Sequence, residues 1–143
     1  HSIPSEVMFG AHDGILVEEY SGAFEAVRSL TGQGVQTAVL SNTCSRHWSQ
    51  LRKMSAVEEA LGGGCFLSFE LGMVKPDDAI YEWVQSHLGL DASAIGFIDD
   101  MAENVAAAKR LGWQAVQVSH ERADLTELAD AIAQLGFEVS SDL

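Results

Sequence analysis

Cysteine and basic side chains are scarce in this 143-residue sequence. Cys44 and Cys65 are the only cysteines, which excludes a disulfide-dense secreted scaffold and predicts two free thiols. Together with the lack of a recognisable signal peptide, this predicts a cytoplasmic protein. The chain has 8 Lys and Arg residues against 21 Asp and Glu residues, a net charge of −13, and no basic stripe. We therefore expect no binding to nucleic acid or to an anionic membrane, since both require neutralisation of phosphate charge.

Long hydrophobic runs are also missing, because no apolar stretch approaches the roughly 20 residues that span a bilayer. Hydrophobic residues nevertheless make up 47% of the chain, which is enough for the core of one domain. Proline occurs only as Pro4 and Pro76, and no repeat or linker divides the chain. The sequence therefore predicts a single compact unit in which helices and strands alternate.

The spacing of apolar residues predicts the order of these elements. Strands are expected over 35–40, 95–98 and 114–118, and helices over 21–30, 46–57, 77–88 and 102–111. The 77–88 helix is expected to face the core with Ile80, Trp83, Val84 and His87, and a closing helix with Leu125, Leu128, Ile132 and Leu135. Alternating strands and helices imply right-handed crossovers. The predicted fold class is therefore α/β, a Rossmann-like three-layer α/β/α arrangement around a mostly parallel sheet.

Polar residues follow one strand and occupy one loop at positions where such sheets bind ligands, beyond the carboxyl ends of the strands. Ser41, Asn42 and Thr43 follow the strand over 35–40, where they suit either an anion site or an ordinary helix N-cap. Lys75 precedes Pro76, which favours an extended backbone at the lysine. Its side chain is then either a counter-charge for a phosphoryl group or a solvated surface lysine.

Two adjacent aspartates, Asp99 and Asp100, follow the apolar residues 95–98, and Asn104 lies one turn into the next helix. One aspartate would satisfy a helix N-cap, but two exceed what a cap needs. Neighbouring carboxylates repel each other and resist burial, so a cation, an arginine or solvent is expected to compensate their charge. Mg²⁺ prefers hard oxygen ligands of this kind. The acidic pair therefore favours a magnesium site.

The order of these segments resembles the haloacid dehalogenase (HAD) superfamily. VLSNT, the lysine in GMVKPDDAIYE, and GFIDDMAEN look like the second, third and fourth motifs of that family, and AAAKRLGWQAV continues the match. The resemblance covers nearly everything from about Ser21 to Ile132 and implies an HAD-like core. It points to the phosphatase-like members with a helical cap, because members that dehalogenate 2-haloacids usually lack the acidic pair.

The resemblance implies that the residues after the first predicted strand bind phosphate. Ser41 would hydrogen-bond the transferring phosphoryl group, helped by Asn42 and supported by Thr43. Lys75 would neutralise charge on the nucleophile and on the phosphate. These roles agree with the physics of phosphoryl transfer, in which positioning and charge neutralisation provide most of the catalysis.

The resemblance also implies roles on the metal side of the site. Asp100 would bind Mg²⁺ directly, and Asp99 would coordinate through water or orient the metal shell. Asn104 would steady the loop that carries both acids. The predicted catalytic residues are therefore Lys75, Asp99 and Asp100, with Mg²⁺ as the cofactor.

The nucleophile of this family, the first aspartate of a DxD motif at the end of the first strand, is not evident. The only candidate segment is VMFGAHDGILV, residues 7–17. An alignment on Asp13 and Gly14 makes Asp13 the second acid and places Ala11, which cannot attack phosphorus, at the nucleophile position. The rival interpretation is the last helix of a helical cap, with Val7, Ala11 and Ile15 on one face.

We favour the cap helix, because helical periodicity fits the whole segment. This interpretation divides the chain into a cap remnant over 1–20 and a HAD-like Rossmannoid core over 21–143, with the nucleophile motif upstream of His1. The alternative for 1–20 is a degenerate first strand. A core without its first strand leaves unpaired backbone groups on two central strands, unless another chain or residues 6–9 fill the slot.

The predicted function is a Mg²⁺-dependent phosphatase that acts on a small phosphorylated metabolite through an aspartyl-phosphate intermediate, with the nucleophile missing from this chain. The alternative is a catalytically inactive binding or interaction module that retains the phosphate and Mg²⁺ pocket. The expected partner is a small phosphorylated molecule, and a homo-oligomer is compatible with the sequence.

Overall fold

The computed structural model describes residues 3–12, 23–53, 64–118 and 125–139. The strands in these ranges form one sheet in the order β3-β2-β1-β4-β5, and every pairing is parallel. The parallel α/β arrangement predicted from the sequence is confirmed. The strands are β1 (Glu6–His12), β2 (Gln36–Asn42), β3 (Cys65–Leu67), β4 (Ile95–Asp99) and β5 (Gln114–Gln117).

Helices connect the strands and cover both faces of the sheet. They are α1 (Ala23–Gly32), α2 (Ser45–Leu51), α3 (Ser68–Leu71), α4 (Asp78–Leu88), α5 (Ala102–Arg110) and α6 (Leu125–Gln134). The helix predicted over 46–57 is α2, and residues 54–63 lie outside the described ranges. Cys44 and Cys65 are free thiols, as predicted. Within the described ranges, the helices are too short or too polar to cross a membrane.

The core consists of two apolar layers separated by the sheet. Alternate residues of β1 point to opposite faces, as strand geometry requires. Val7 and Phe9 pack with residues of α1 and α6, whereas Met8 packs with residues of α4 and α5. The three-layer arrangement follows from this division, because each face of the sheet buries one pair of helices.

The position of β1 overturns the favoured interpretation of the N-terminal segment. Residues 6–12 pair with β2 from Glu6 to His12 and with β4 from Glu6 to Phe9, so the cap-helix prediction is wrong for these residues. A strand that is buried on both faces has a continuous run of apolar residues in its sequence. The spacing of apolar residues in such a run does not distinguish a strand from a helix. The chain itself fills the central slot of the sheet. Residues 13–22 lie outside the described ranges, so the domain boundary at residue 20 stays a prediction.

The buried face of α4 also differs from the prediction. Ile80 and Val84 are buried as expected, but Trp83 is 40% exposed and His87 is exposed. The rings of Trp83 and His87 stack at 5.0 Å on the rim of the core. Tyr81 takes the expected place of Trp83 in the core. The helix is therefore rotated so that its face of Ile80, Tyr81 and Val84 meets the sheet.

Candidate active site

The carboxyl edge of the sheet brings together several of the polar residues that the sequence singled out. β2 ends at Asn42 and β4 ends at Asp99, and because the strands are parallel these ends lie on one edge. The loop between α3 and α4 brings Lys75 to Asp99. Ser41 and Asp100 are buried beside these strand ends. The edge is therefore polar within an otherwise apolar core.

Lys75 and Asp99 form a buried ion pair at this edge. Lys75 Nζ lies 2.8 Å from Asp99 Oδ2, and both side chains are 0% exposed. The amine also lies 5.6 Å from the centre of the Phe97 ring, within range of a cation–π contact. Asn104 Nδ2 donates to the same Asp99 oxygen at 3.2 Å, and the Met101 N–H donates to Asp99 Oδ1 at 2.8 Å. Both oxygens of the Asp99 carboxylate therefore accept hydrogen bonds from the chain itself.

Burial and charge act on the pKa of both partners. Burial lowers the pKa of the Lys75 amine below its ordinary value, and the Asp99 charge offsets part of this effect. Burial acts to raise the pKa of Asp99, but the Lys75 charge and the hydrogen bonds from Lys75 and the Met101 N–H outweigh it. The pKa of Asp99 therefore lies below its ordinary value, and the carboxylate is the ionised counter-charge of the lysine at neutral pH.

Asn42 and Thr43 bind neighbouring loops. The Lys75 N–H donates to Asn42 Oδ1 at 2.9 Å, and Asn42 Nδ2 donates to the Lys75 C=O at 2.9 Å. The Thr43 N–H donates to Ser68 Oγ at 2.9 Å, and Ser68 Oγ donates to the Thr43 C=O at 3.0 Å. The end of β2 is thus connected to α3 and to the loop that carries Lys75. The phosphate-binding role of Asn42 and the supporting role of Thr43 stay predictions.

Ser41 carries a buried hydroxyl without a hydrogen-bond partner in the described part of the chain. Burying a hydroxyl without a partner is unfavourable by about 1–3 kcal/mol, so such groups call for an explanation. Ser41 pairs in register with Ala11 at the end of β1. A ligand oxygen at this edge would satisfy the hydroxyl, which agrees with the predicted contact between Ser41 and a phosphoryl group.

The end of β1 supplies no carboxylate to this edge in the described ranges. Its last three residues are Gly10, Ala11 and His12, and Asp13 lies outside those ranges. A Cβ atom added to Gly10 would lie 2.0 Å from Asp99 Oδ2. The carboxylate of Asp99 therefore occupies the space that a side chain at position 10 would need.

Tyr81 supports the site, and the sequence reasoning missed it. Its hydroxyl donates to the Asn104 C=O at 2.9 Å, and Asn104 in turn donates to Asp99. Burial, followed by the charge of Asp99, raises the pKa of Tyr81 above its ordinary value, so the hydroxyl keeps its proton. The sequence signal was the position of Tyr81 next to Ile80 and three residues before Val84, which is also core-facing spacing.

Asp100 has the chemistry that a magnesium ion requires, since a carboxylate is a hard oxygen ligand. The residue is buried, and its main-chain oxygen accepts a hydrogen bond from Gln117 Nε2 at 3.2 Å. No group of three or more His, Cys, Asp or Glu side chains that could hold a metal occurs in the ranges described. The buried carboxylate of Asp100 fits an ion that takes one or two protein carboxylates and completes its shell with water and phosphate. With both oxygens bound by donors, Asp99 fits the orienting role.

Comparison with known proteins identifies relatives, although no family model matches the chain. Over 106 residues, 74% of the chain, it is 35% identical to a sesquiterpene phosphatase of Aspergillus oryzae. Over 102 residues, 71% of the chain, it is 26% identical to an (S)-2-haloacid dehalogenase of Burkholderia cepacia. The matches cover 54% and 44% of those two proteins, so the chain spans about half the length of the curated relatives it matches.

The fold also matches solved structures. One is a HAD family enzyme of Bacteroides thetaiotaomicron in complex with magnesium and inorganic phosphate. It aligns with a TM-score of 0.59 and 25% identity over 68% of this chain and 50% of that chain. The predicted resemblance is therefore supported by relatives in sequence and by a neighbour in structure.

Proposed function

Because the chain belongs to the haloacid dehalogenase (HAD) superfamily, we propose that it is part of a Mg²⁺-dependent phosphatase that acts on a small phosphorylated metabolite. The observation that carries this proposal is the buried Lys75–Asp99 pair with a second acid, Asp100, at the same edge of the sheet. The phosphatase among the relatives and the magnesium and phosphate in the Bacteroides enzyme support the same chemistry. The chain spans about half the length of these curated relatives, and the proposal concerns the activity of the whole protein.

The residues of this chain provide the phosphate-binding side of such a site. Ser41 has a buried hydroxyl that would donate to a phosphate oxygen, and Lys75 would place its positive charge beside the same group. Asp99 holds the lysine amine at 2.8 Å, and its charge offsets part of the effect of burial on the lysine. Asp100 would hold Mg²⁺, which supplies charge neutralisation and orientation of phosphate oxygens when bound.

The proposed reaction proceeds through an aspartyl-phosphate intermediate and so requires a carboxylate nucleophile. Within the described residues, the end of β1 consists of Gly10, Ala11 and His12, none of which carries a carboxylate. Turnover therefore depends on an acid outside those residues. Because Ala11, at the position aligned with the nucleophile, cannot attack phosphorus, the 143-residue chain alone is expected to bind phosphate and magnesium but not to hydrolyse a phosphate ester.

A second candidate function is a catalytically inactive module that binds a phosphorylated small molecule. The specific observation in its favour is that Ala11, the residue aligned with the nucleophile position, lies at the end of β1 in register with Ser41 and carries no carboxylate. The central slot of the sheet is moreover filled by this chain, so an upstream strand is not required to complete the sheet. On this proposal the site keeps its binding groups without its nucleophile.

The test measures release of inorganic phosphate from a generic phosphate ester, with and without Mg²⁺, by the whole protein and by the 143-residue chain. A phosphatase should show turnover that requires Mg²⁺ and is lost in Asp100→Ala. The exposed Asp91→Ala is a matched control and should keep full activity. Turnover that ignores Mg²⁺ or survives Asp100→Ala contradicts the phosphatase site. Binding of phosphate without turnover in the whole protein supports the inactive module instead.

A further inference from the structure

We propose that Asn42 is a positioning residue that fixes the backbone of Lys75, so that the lysine amine stays directed at Asp99 and at any phosphoryl group bound there. The part of this inference that concerns phosphate rests on the proposed function. The part that concerns the lysine rests on geometry alone. Asn42 therefore has a role that differs from the phosphate contact predicted for it.

The orientation of the Asn42 side chain follows from the backbone it meets. The Lys75 N–H can only donate and the Lys75 C=O can only accept, so Oδ1 must face the former and Nδ2 the latter. Both hydrogen bonds are 2.9 Å long. The Asn42 amide thus pairs with both the N–H and the C=O of Lys75, as a residue of a neighbouring strand would in a sheet.

The loop around Lys75 explains why such a fixed backbone matters. Its neighbours Val74 and Pro76 are exposed, whereas Lys75 itself is buried. The lysine must therefore turn inward from a loop that otherwise faces solvent. A lysine side chain loses much of its rotamer freedom when it is held in place. Anchoring the main chain of Lys75 to β2 restricts the start of this side chain and so reduces the freedom that its pairing must remove.

The alternative role for Asn42 is direct contact with phosphate, and the two roles make different predictions. A phosphate ligand can be removed without a change at Lys75, because only the ligand loses a contact. Removal of a positioning residue does change Lys75, because Lys75 then loses both of its main-chain hydrogen bonds to β2. The rate at which the Lys75 amine protons exchange with water, in the absence of any ligand, therefore decides between the two roles.

Lysine-selective ¹⁵N NMR can measure that state directly. The chain has three lysines, and Lys53 and Lys109 are exposed, which makes them internal references for Lys75. We expect Asn42→Ala to speed exchange of the Lys75 amine protons with water by about tenfold or more, since loss of two hydrogen bonds loosens the loop. Asn42→Asp is nearly isosteric and keeps only the acceptor, so it should also speed exchange.

Gln85→Ala is the matched control. Gln85 lies on α4 and also carries a half-buried amide. Its side-chain oxygen accepts a hydrogen bond from Trp113 Nε1 at 3.2 Å. This variant loses a comparable contact and should leave the Lys75 signal unchanged. Unaltered Lys75 exchange in both Asn42 variants, with circular dichroism showing an intact fold, overturns the positioning role.

Calorimetry with inorganic phosphate, in the presence of Mg²⁺, separates this inference from the proposed function. Asn42→Ala should bind phosphate about tenfold more weakly than the wild type, because the lysine is no longer held for the anion. Weaker phosphate binding with normal Lys75 exchange makes Asn42 a ligand and overturns the positioning role. If the wild-type chain binds no phosphate at all, the proposed function of the site fails, while Lys75 exchange still decides the role of Asn42.

Discussion

Replacing Glu6 by glutamine should change how the stability of the protein depends on pH. Glu6 begins β1, at the edge of the sheet opposite the candidate site. Its side chain is 0% exposed, and neither carboxylate oxygen has a hydrogen-bond partner in the described part of the chain. Burial raises the pKa of Glu6 from 4.5 to about 7. The folded protein therefore binds a proton that the unfolded chain has already released between these two pH values.

The sign and size of the effect follow from this difference. A carboxyl whose pKa is raised by folding stabilises the fold below the unfolded pKa, and this contribution is lost as the pH rises through the folded pKa. Moving the pKa from 4.5 to about 7 corresponds to about 3 kcal/mol, at about 1.4 kcal/mol for each tenfold change in proton affinity. About 2.5 kcal/mol of this loss falls between pH 5 and pH 8.

Glu6→Gln keeps the shape of the side chain and removes its ionisation. At pH 5 the wild type is protonated, so we expect similar stabilities for the two proteins. At pH 8 the variant should be more stable by about 2.5 kcal/mol. Urea unfolding at pH 5, 6, 7 and 8 measures the difference, and Glu82→Gln, at an exposed site on α4, is the control. If the difference in free energy of unfolding between wild type and Glu6→Gln is the same at all four pH values, the reasoning is refuted.

Four further changes test other parts of the structure. Lys75→Met should destabilise the fold by about 3–5 kcal/mol in urea unfolding, because it leaves Asp99 buried without its counter-charge. Adding Asp99→Asn should recover part of that loss, and no recovery would contradict the pairing. Gly10→Ala should cost about 1–3 kcal/mol in the same assay, since its Cβ must displace Asp99, and wild-type stability would disprove this packing. Tyr81→Phe should cost about 1 kcal/mol through loss of the bond to the Asn104 C=O, and an unchanged midpoint would argue against that bond. Mg²⁺ should raise the melting temperature of the wild type but not of Asp100→Ala, and equal shifts would place the ion elsewhere.

The meeting of Lys75 with Asp99 was predictable because the rule behind it is topological. Parallel strands end on one edge, so polar residues after two strands and in a nearby loop had to approach each other. The specific contacts were not predictable. Asn42 binds the Lys75 backbone because of the path of the loop, and a residue pattern contains no information about that path.

The errors at β1 and α4 have a common physical cause. Val7, Met8 and Phe9 are buried on both faces of the sheet, so the alternation that marks a strand is absent and a helical period fits equally well. On α4, rim positions accept large rings such as Trp83, so hydrophobicity alone did not show that Tyr81 is the buried one. Which side of an element is buried depends on the neighbouring elements, and these are set by the tertiary fold.

The central place of β1 has a consequence for how the chain acquires its structure. β1 can pair with β2 after residues 13–35, which contain α1, but its other neighbour, β4, begins about 90 residues further along the chain. Contacts of such long sequence separation form slowly, and an unpaired strand edge is a site of aggregation until they form. β1 is thus the strand that waits longest for its second partner. Translation that stalls before β4 should therefore leave an intermediate that is prone to aggregate.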